Sequence, residues 1–573
     1  FMWSQAVIVE VYTLSVLSLM GVLACLMHWV YLQERKRYLY LAFFLFGICF
    51  NNHQTLIVAA MGIQVAIAAV NLRLGRDLFL GNSLVYILGL MAKWYGMLTA
   101  FDENIPLFVI YNAVGISSLA AFAWAWSRTQ EIMTEWRVVL WLGLAWLVGA
   151  SFYFYMPLAS STNPPMNWGY PRTWDGFVHA FSRGQYERAN PTSSVLRFIQ
   201  QMALYFKGLS SEFSAVMAFV GFLPLIVWKK IARREKAWLI GLGGIFFCLA
   251  VILMILLNPP PDRQSQDLNR VFFTSSHVVV ALFAGYGVTL LAGLLSAQYQ
   301  RYRMVAICGG SVALAFALFG KLTLERVHPL DQFTAWYGIA LTLAFLVVFG
   351  RSRDRAPTYA ILAVLSLAPF YSVLSHWWEN EQRGHLFGYW FGHDMFTPPF
   401  EVYPEMDEGA ILFGGTDPGR FNPTYMIFCE SFLPSSKKPR DPDFDRRDVY
   451  LITQNALADG TYLDYIRAHY FRSAQQDPPF FQEMLRSTSE KELNLTTNSL
   501  ARATRPLDQA MMRMGAYVED KRRAKGVYPR KEIYTPSLAD SDQAYMEYMA
   551  DAAVRQANNQ LRPGEIVTET PDG

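Results

Sequence analysis

Long apolar segments recur along the first two thirds of the chain, and they constrain its fold more than any other feature. A helix needs roughly 20 apolar residues to cross the ~30 Å hydrocarbon core of a membrane. Of the 573 residues, 53% are hydrophobic and only 17% are charged, which is typical of a membrane protein with a soluble part. The sequence predicts about twelve spans, near 5–31, 38–50, 55–71, 78–100, 105–126, 138–158, 211–229, 237–257, 271–295, 302–320, 333–350 and 357–376. The second and third could instead form one long helix broken at Asn51, Asn52 and His53.

Lysine and arginine are concentrated in alternate connections between these spans. The basic connections include 35–37, the pair Arg73 and Arg76, and 228–236. The positive-inside rule places such connections in the cytoplasm. The intervening connections, among them 163–188, are sparse in Lys and Arg, and we predict that they and the polar C-terminal part lie on the non-cytoplasmic side of the membrane.

Charge and cysteine content exclude several classes of protein. The net charge is +3, and no basic surface of the kind that binds nucleic acid is visible. The five cysteines have no disulfide or CxxC spacing, so structural zinc is not expected. The chain begins FMWSQAVIVE without the pattern of a signal peptide. We expect that a native N-terminal part precedes Phe1.

Two polar residues interrupt apolar helices near the predicted non-cytoplasmic face. Glu10 lies within the first span, where a carboxylate costs about 3 kcal/mol on insertion scales and normally faces a cavity or a partner. It is either a cavity-lining acid or a buried partner of a basic side chain. His53 lies at the helix break FNNHQT. In a functional role it binds a ligand or relays a proton. The alternative is that it ends a helix at the membrane interface.

The segment NPPMNWGYPRTWDGFVHAFSRGQYER, residues 163–188, is the most polar and aromatic of the membrane connections. Its prolines favour an extended backbone. Its aromatic rings suit a sugar, and its arginines suit a phosphate. The alternative is an amphipathic helix lying in the membrane interface. Arg270, at the mouth of a later span, is equally suited to clamp phosphate or to snorkel to the interface.

The composition changes after Trp378, and no later run is long enough to span a membrane. Residues 409–413 and DVYLIT read as strands, each followed by a helix, which predicts a small α/β domain with parallel strands over 379–485. Residues 486–573 read as a helical and loop extension. Ligands of such sheets bind beyond the carboxyl ends of the strands. The candidate residues at that rim are Thr416, Asp417, Arg420, Asn455 and Asp459.

Several separate blocks together resemble a known family. They are FMWSQAVIVEVYTL, GICFNNHQT, the segment around NPPMNWGYP, and the strand–helix block from ILFGGTDPGR to TYLDYIR. The chain resembles a bacterial family of large membrane proteins, long without assigned function, that is related to the eukaryotic transmembrane O-mannosyltransferase acting on plexin-type receptors. The resemblance covers most of residues 1–470.

This resemblance implies a C-type glycosyltransferase fold over 1–378, located in the bacterial inner membrane with the C-terminal domain outside the cytoplasm. It implies transfer of a sugar such as mannose from a polyprenyl-phosphate donor to a protein Ser or Thr or another acceptor. The family's catalytic acidic loop lies upstream of Phe1, so Glu10 is the one catalytic candidate here. The residues that match the family's cavity are Tyr12, His53, Asn163, Asn167, Trp168, Arg183, Gln185 and Tyr186.

Two other classes of function fit parts of the sequence. A transporter or lipid flippase would explain Glu10 and His53, but it predicts polar groups through the whole membrane depth and often an internal repeat. A membrane scaffold for the α/β domain needs neither Glu10 nor the segment 163–188. The expected partners are membrane lipids, a lipid-linked sugar and an acceptor, and no nucleic acid. Neither the residues nor the resemblance assigns a cofactor or a divalent metal.

Overall fold

The structure is a computed structural model of the chain. It describes residues 12–95, 98, 101, 105–182, 190–260, 262, 269–297, 376–414, 417–438, 440–453, 460–470, 477–486, 490, 496–528 and 538–561. Helices dominate these ranges. Up to residue 297 they are α1 Tyr12–Tyr31, α2 Arg37–Asn52, α3 Ala59–Val70, α4 Leu72–Trp94, α5 Ile105–Thr129, α6 Trp136–Ala150, α7 Tyr155–Ser161, α8 Trp174–Ser182, α9 Val195–Ile226, α10 Arg233–Phe246, α11 Leu253–Leu257 and α12 Thr274–Ala297.

The later elements include two short strands. They are α13 Trp377–Asn380, α14 Phe387–Asp394, β1 Ile411–Gly414, α15 Asp417–Phe428, β2 Tyr450–Thr453, α16 Gly460–Tyr470, α17 Phe480–Leu485, α18 Ser499–Ala503, α19 Arg505–Ala524 and α20 Leu538–Ala557. Contacts divide the chain into two compact units. Unit 1 comprises Phe1–Tyr153 and Arg188–Arg383, and unit 2 comprises Phe154–Glu187 and Gly384–Gly573.

Among the described residues, five helical stretches are long and apolar enough to cross a membrane, which indicates an integral membrane protein. They are Tyr12–Tyr31, Ile105–Thr129, Trp136–Ser161, Arg233–Leu257 and Arg270–Leu290. The predicted spans 302–320, 333–350 and 357–376 lie outside the described residues. The total of about twelve spans, the C-type glycosyltransferase fold and the three consecutive domains therefore stay predictions.

The structure corrects the boundary between the third and fourth predicted spans. The sequence placed Arg73 and Arg76 in a connection, whereas α4 already begins at Leu72, with the side chain of Asn71 accepting a hydrogen bond from the Leu74 amide. Arg76 is fully buried. Its guanidinium is satisfied by the Asp77 carboxylate at 2.8 Å and by the hydroxyls of Thr129 and Thr134. A buried arginine with these partners is compatible with a helix interior, which a count of charges could not show.

The helices of unit 1 pack through small residues. A Cβ added at Gly62 of α3 would overlap the backbone of Gly244 and Ile245 in α10, and one added at Gly47 of α2 would overlap the backbone of α6. Close backbone approach of this kind is how helices associate in a membrane, where lipid removes most of the hydrophobic driving force. The crossings fix α2, α3, α6 and α10 as one core.

Unit 2 contains the strand–helix repeat that the sequence predicted. Strands β1 and β2 are parallel, with Ile411 opposite Tyr450 and Gly414 opposite Thr453. Helix α15 lies in the crossover from β1 to β2, as parallel pairing requires, and α16 follows β2. A core beneath them is built on large apolar side chains, including Phe396, Met426, Phe428, Phe444 and Leu451.

The dipeptide Pro-Pro follows a left-handed asparagine at two places. Asn163 has φ 46° and follows α7, and Asn258 has φ 43° and follows α11. Asparagine tolerates this conformation at the end of a helix, and the prolines prevent the helix from continuing. Each NPP motif thus ends a helix sharply and turns the chain.

The side chain of Asp508, at the start of α19, caps α17. Its carboxylate accepts hydrogen bonds from the amides of Phe481 (2.8 Å) and Gln482 (3.1 Å). We expect Asp508→Ala to lower the free energy of unfolding by about 1–2 kcal/mol, because two buried amides lose their acceptor. Asp508→Asn keeps one acceptor oxygen and should cost less. Thermal unfolding of the detergent-solubilised chain checks this, and equal melting temperatures for wild type and Asp508→Ala would contradict it.

Candidate functional site

A cavity of about 280 Å³ lies in unit 1 beside the 3-10 turn Arg270–Phe273. Most of its wall comes from helix α9 and from residues 269–277, which include the first turn of α12. Its lining residues are Gln201, Leu204, Tyr205, Lys207, Gly208, Met254, Pro259, Pro260, Asn269, Arg270, Phe273 and His277. The wall is mainly apolar with a few convergent polar groups, which is the usual character of a small-molecule site.

The side chain of Asn258 links three segments of the chain beside the cavity. Its side-chain oxygen accepts hydrogen bonds from Gln201 and from the Thr192 hydroxyl, each at 3.0 Å, and its amide nitrogen donates to the Asn190 carbonyl. Gln201 also donates to the Pro259 carbonyl at 3.0 Å. The left-handed turn at Asn258 is therefore tied to α9, and this fixes the position of the two prolines that line the cavity.

The charges at the cavity are unusual for apolar helices. Arg270 forms an ion pair with Glu212 of α9, with 3.1 Å between Nη2 and Oε2. Lys207 lies on the same helix, five residues before Glu212. Among the described lining residues, Lys207 and Arg270 are cations and none is a carboxylate. Arg270 begins a helical stretch that could cross a membrane, where ionisable groups are costly and usually serve a ligand or ion, so this wall favours an anionic group.

His277 is the most buried titratable side chain at the cavity. It is 3% exposed, and its Nδ1 has no hydrogen-bond partner in the structure. The rings of Tyr205 and Phe213 lie 5.9 and 6.0 Å from the imidazole. A buried nitrogen without a partner costs about 1–3 kcal/mol. A polar ligand in the cavity would remove that cost.

Three of the sequence-predicted residues meet at the turn Arg270–Phe273. Tyr12 and His53 lie with ring centroids 5.5 Å apart, and Phe272 contacts both, at 6.4 and 5.6 Å. Arg270 lines the cavity two residues earlier in the same turn. The helix break is real, since α2 ends at Asn52, His53 is extended and a 3-10 turn begins at Gln54. Tyr12 and His53 do not themselves line the cavity.

Asn163, Asn167 and Trp168 belong to unit 2, and none of them lines the cavity. Asn163 is fully buried and donates to the Ala468 carbonyl at 2.8 Å. Its own carbonyl accepts a hydrogen bond from the Tyr528 hydroxyl at 2.8 Å. The amide of Asn167 donates to the Ser160 carbonyl. Trp168 packs on the rings of Phe421 and Tyr462. These contacts give the start of the segment 163–188 a structural role, and its predicted role in donor binding stays a prediction.

Asp477 joins this segment to α16. Its carboxylate lies 3.0 Å from Arg172, 2.7 Å from Arg467 and 2.8 Å from the Tyr170 hydroxyl. Burial opposes the charge of Arg467, but the hydrogen bond with Asp477 raises the pKa of this arginine above its usual value. Arg467 therefore remains charged, and the aspartate is the centre of a buried polar cluster.

His469 lies beside the Pro165 carbonyl, 2.8 Å from Nε2. Burial lowers the pKa of His469 to about 4, although hydrogen bonds with the Tyr465 and Pro165 carbonyls act in the opposite direction. The ring helps to seal the base of the NPP turn.

Several predicted site residues fall outside what the structure describes. Asp417 and Arg420 lie on α15, but their side chains are not described. The others outside the described residues are Glu10, Arg183, Gln185, Tyr186, Thr416, Asn455 and Asp459.

Several residues that line the cavity or pair with its lining were not predicted from the sequence. They include Gln201, Tyr205, Lys207, Glu212 and His277. A signal for two of them was present, because Lys207 and Glu212 interrupt an apolar helix in the same way as Glu10. The predicted span began only at residue 211, so Lys207 was read as lying outside the helix.

Comparison with known families bears on the helices beside the turn. Residues 1–73 match the family model for the N-terminal domain of the protein O-mannosyl-transferase TMEM260. The match relates the chain to that glycosyltransferase family over the part that carries Tyr12 and His53, in agreement with the resemblance seen in the sequence. No curated protein and no solved structure matches the chain.

Proposed function

We propose that the protein is a membrane glycosyltransferase that moves a sugar, such as mannose, from a polyprenyl-phosphate donor to a Ser or Thr hydroxyl or another acceptor. The observation that carries the proposal is the convergence at the turn Arg270–Phe273. There, residues of the part similar to an O-mannosyltransferase domain contact a turn whose arginine lines a cationic cavity. An anionic lipid-linked donor is the ligand that suits this wall.

In this proposal the donor phosphate binds at Arg270 and Lys207. The C–O bond between the sugar and the phosphate breaks, and the lipid phosphate leaves with increased negative charge. Arg270 stabilises that charge, since a fixed cation in a water-poor site acts more strongly than one in bulk solvent. The ion pair with Glu212 positions the guanidinium.

The acceptor hydroxyl attacks the sugar carbon and gives its proton to a carboxylate acting as general base. Glu10 is the candidate for that base in this chain. The reaction would take place on the non-cytoplasmic face, with unit 2 selecting or presenting the acceptor. His277 Nδ1 would accept or donate a hydrogen bond at a sugar or phosphate oxygen.

Sugar transfer from polyprenyl-phosphate donors by the full chain in detergent tests the proposal. We expect Arg270→Ala to lower the transfer rate about 100-fold, which corresponds to about 3 kcal/mol of transition-state stabilisation. Glu10→Gln should lower it as well. Arg73→Ala is the matched control, because Arg73 forms an exposed ion pair with Glu131 away from the cavity lining.

A second variant separates charge stabilisation from structural damage. Arg270→Ala leaves Glu212 without its ion pair, whereas Arg270→Ala combined with Glu212→Gln removes both charges. The double variant should remain as slow as the single one. Recovery of transfer in the double variant, or transfer that ignores Arg270, would overturn this site. Donor movement across the membrane without transfer would favour a flippase instead.

A further inference from the structure

Helix α14 of unit 2 presents an aromatic face to its surroundings. Phe387, Trp390 and Phe391 occupy positions i, i+3 and i+4, which share one side of a helix, and all three are exposed. The opposite side is held in the core. A Cβ at Gly392 would lie 2.9 Å from Met426, and the rings of His393 and Phe444 lie 5.1 Å apart in a tilted arrangement. The helix is thus firmly seated with its aromatic side outward.

The loop that follows α14 exposes further large side chains. Phe400 is 92% exposed, and Val402 and Tyr403 are also exposed. Phe400 and Glu401 both have positive φ, at 64° and 53°, a conformation that bulky residues rarely adopt. Strained backbone persists only where surrounding structure holds it, and it often marks a functional loop.

Buried Arg446 holds the base of this loop. Its guanidinium donates to the carbonyls of Phe396 at 3.2 Å and Met406 at 2.7 Å, on the two sides of residues 398–404. It also pairs with Asp448 at 3.2 Å. The loop is therefore a fixed projection whose ends are clamped, and the exposure of Phe400 is built into the fold.

We propose that these two elements form a membrane-contact patch, defined as Phe387, Trp390, Phe391, Phe400, Val402 and Tyr403, that inserts into the headgroup region of the lipid bilayer. Aromatic side chains are enriched at that interface because their rings are apolar and their polar edges remain hydrated.

The short chain segment between the predicted span 357–376 and Phe387 favours lipid over other partners. The sequence predicts a membrane span over 357–376, and Phe387 follows it by only eleven residues. Such a length of chain reaches at most about 40 Å. If the predicted span crosses the membrane, helix α14 begins within this reach of the membrane surface.

The carboxylates beside the loop indicate which lipid headgroups the patch can approach. Glu401, Asp407 and Glu408 flank the exposed side chains of the loop, and Glu405 beside them pairs with Arg446 at 3.7 Å. Anionic headgroups would repel these carboxylates, so the patch suits a zwitterionic surface. Its role would be to fix the orientation of unit 2 at the bilayer, which does not depend on the proposed sugar transfer.

Photocrosslinking of the full chain in phosphatidylcholine nanodiscs tests this inference. The variant Phe400→p-benzoylphenylalanine should form a lipid adduct on irradiation, detected by mass spectrometry of the peptide. The matched control is Tyr517→p-benzoylphenylalanine on α19, where the native side chain is 69% exposed. We expect at least a tenfold higher lipid-adduct yield at position 400. The variant Phe387→p-benzoylphenylalanine should behave like the one at position 400.

Two outcomes would overturn the inference. A crosslink from position 400 to another part of the same chain would identify that part as the occupant of the patch. Lipid adducts no more frequent at 400 than at 517 would show that the aromatic side chains face water.

Discussion

Asp477→Ala should lower the stability of unit 2 by about 3–5 kcal/mol, the range for removing one partner from a buried ion pair. The carboxylate is 6% exposed and serves Arg172, Arg467 and Tyr170 together. Its removal takes away the anion that the buried Arg172 and the part-buried Arg467 share, while Arg467 keeps its longer contact with Asp464. Hydrogen–deuterium exchange of the full chain measures the effect locally, and peptides from 170–182 and 460–470 should lose protection together.

Asp464→Ala is the matched control for this prediction. Asp464 also pairs with Arg467, at 3.4 Å, but its side chain is 45% exposed. An exposed pair contributes at most about 1 kcal/mol, so the exchange of the same peptides should change little. Similar loss of protection in Asp477→Ala and Asp464→Ala would show that the buried contacts of Asp477 stabilise unit 2 no more than the exposed pair does.

Gly515→Val should destabilise unit 2 by about 3 kcal/mol, because the contact between α19 and α7 has no room for a side chain. A Cβ at Gly515 would overlap the Ser161 carbonyl oxygen and lie 2.9 Å from its carbon. The obstacle is backbone, which cannot move away as a flexible side chain can. Thermal unfolding of the solubilised chain measures the loss.

Alanine substitutions at the two glycines isolate the effect of the Cβ alone, and Gly388→Ala is the comparison for Gly515→Ala. Both glycines lie in helices, but nothing lies within 4 Å of a Cβ built at Gly388. Alanine is the better helix former by about 1 kcal/mol, so Gly388→Ala should be neutral or slightly stabilising. A stabilising effect at Gly515 would mean that α7 and α19 do not pack as described.

Local patterns were enough to predict individual elements of the fold. Strand, turn and helix follow one another at ILFGGTDPGR and again at DVYLIT, and this order predicted the parallel pair β1 and β2. The helix break at His53 was visible because FNNHQT interrupts an apolar run. Both signals lie within a few residues of the feature that they predict, so a single sequence carries them.

Features that depend on distant partners could not be predicted in this way. Nothing beside Arg76 in the sequence shows that Thr129 and Thr134 would satisfy it inside a helix. The polar groups of the segment 163–188 suggested a ligand, whereas Asn163 bonds to Ala468. The cavity combines Lys207 of α9 with His277 of α12, which the packing of these two helices brings together, and with Pro259, which Gln201 binds to α9.

The discontinuous composition of unit 2 has a consequence for its synthesis. Tyr170 reaches the ribosome exit 307 residues before its partner Asp477. At an elongation rate of about 5–20 residues per second, the first half of the cluster waits roughly 15–60 s for the second. During that time Arg172 and the NPP turn have no native partners from the later segments. The cluster can therefore form only after residue 477 has left the ribosome, and residues 154–182 wait for the later segments until then.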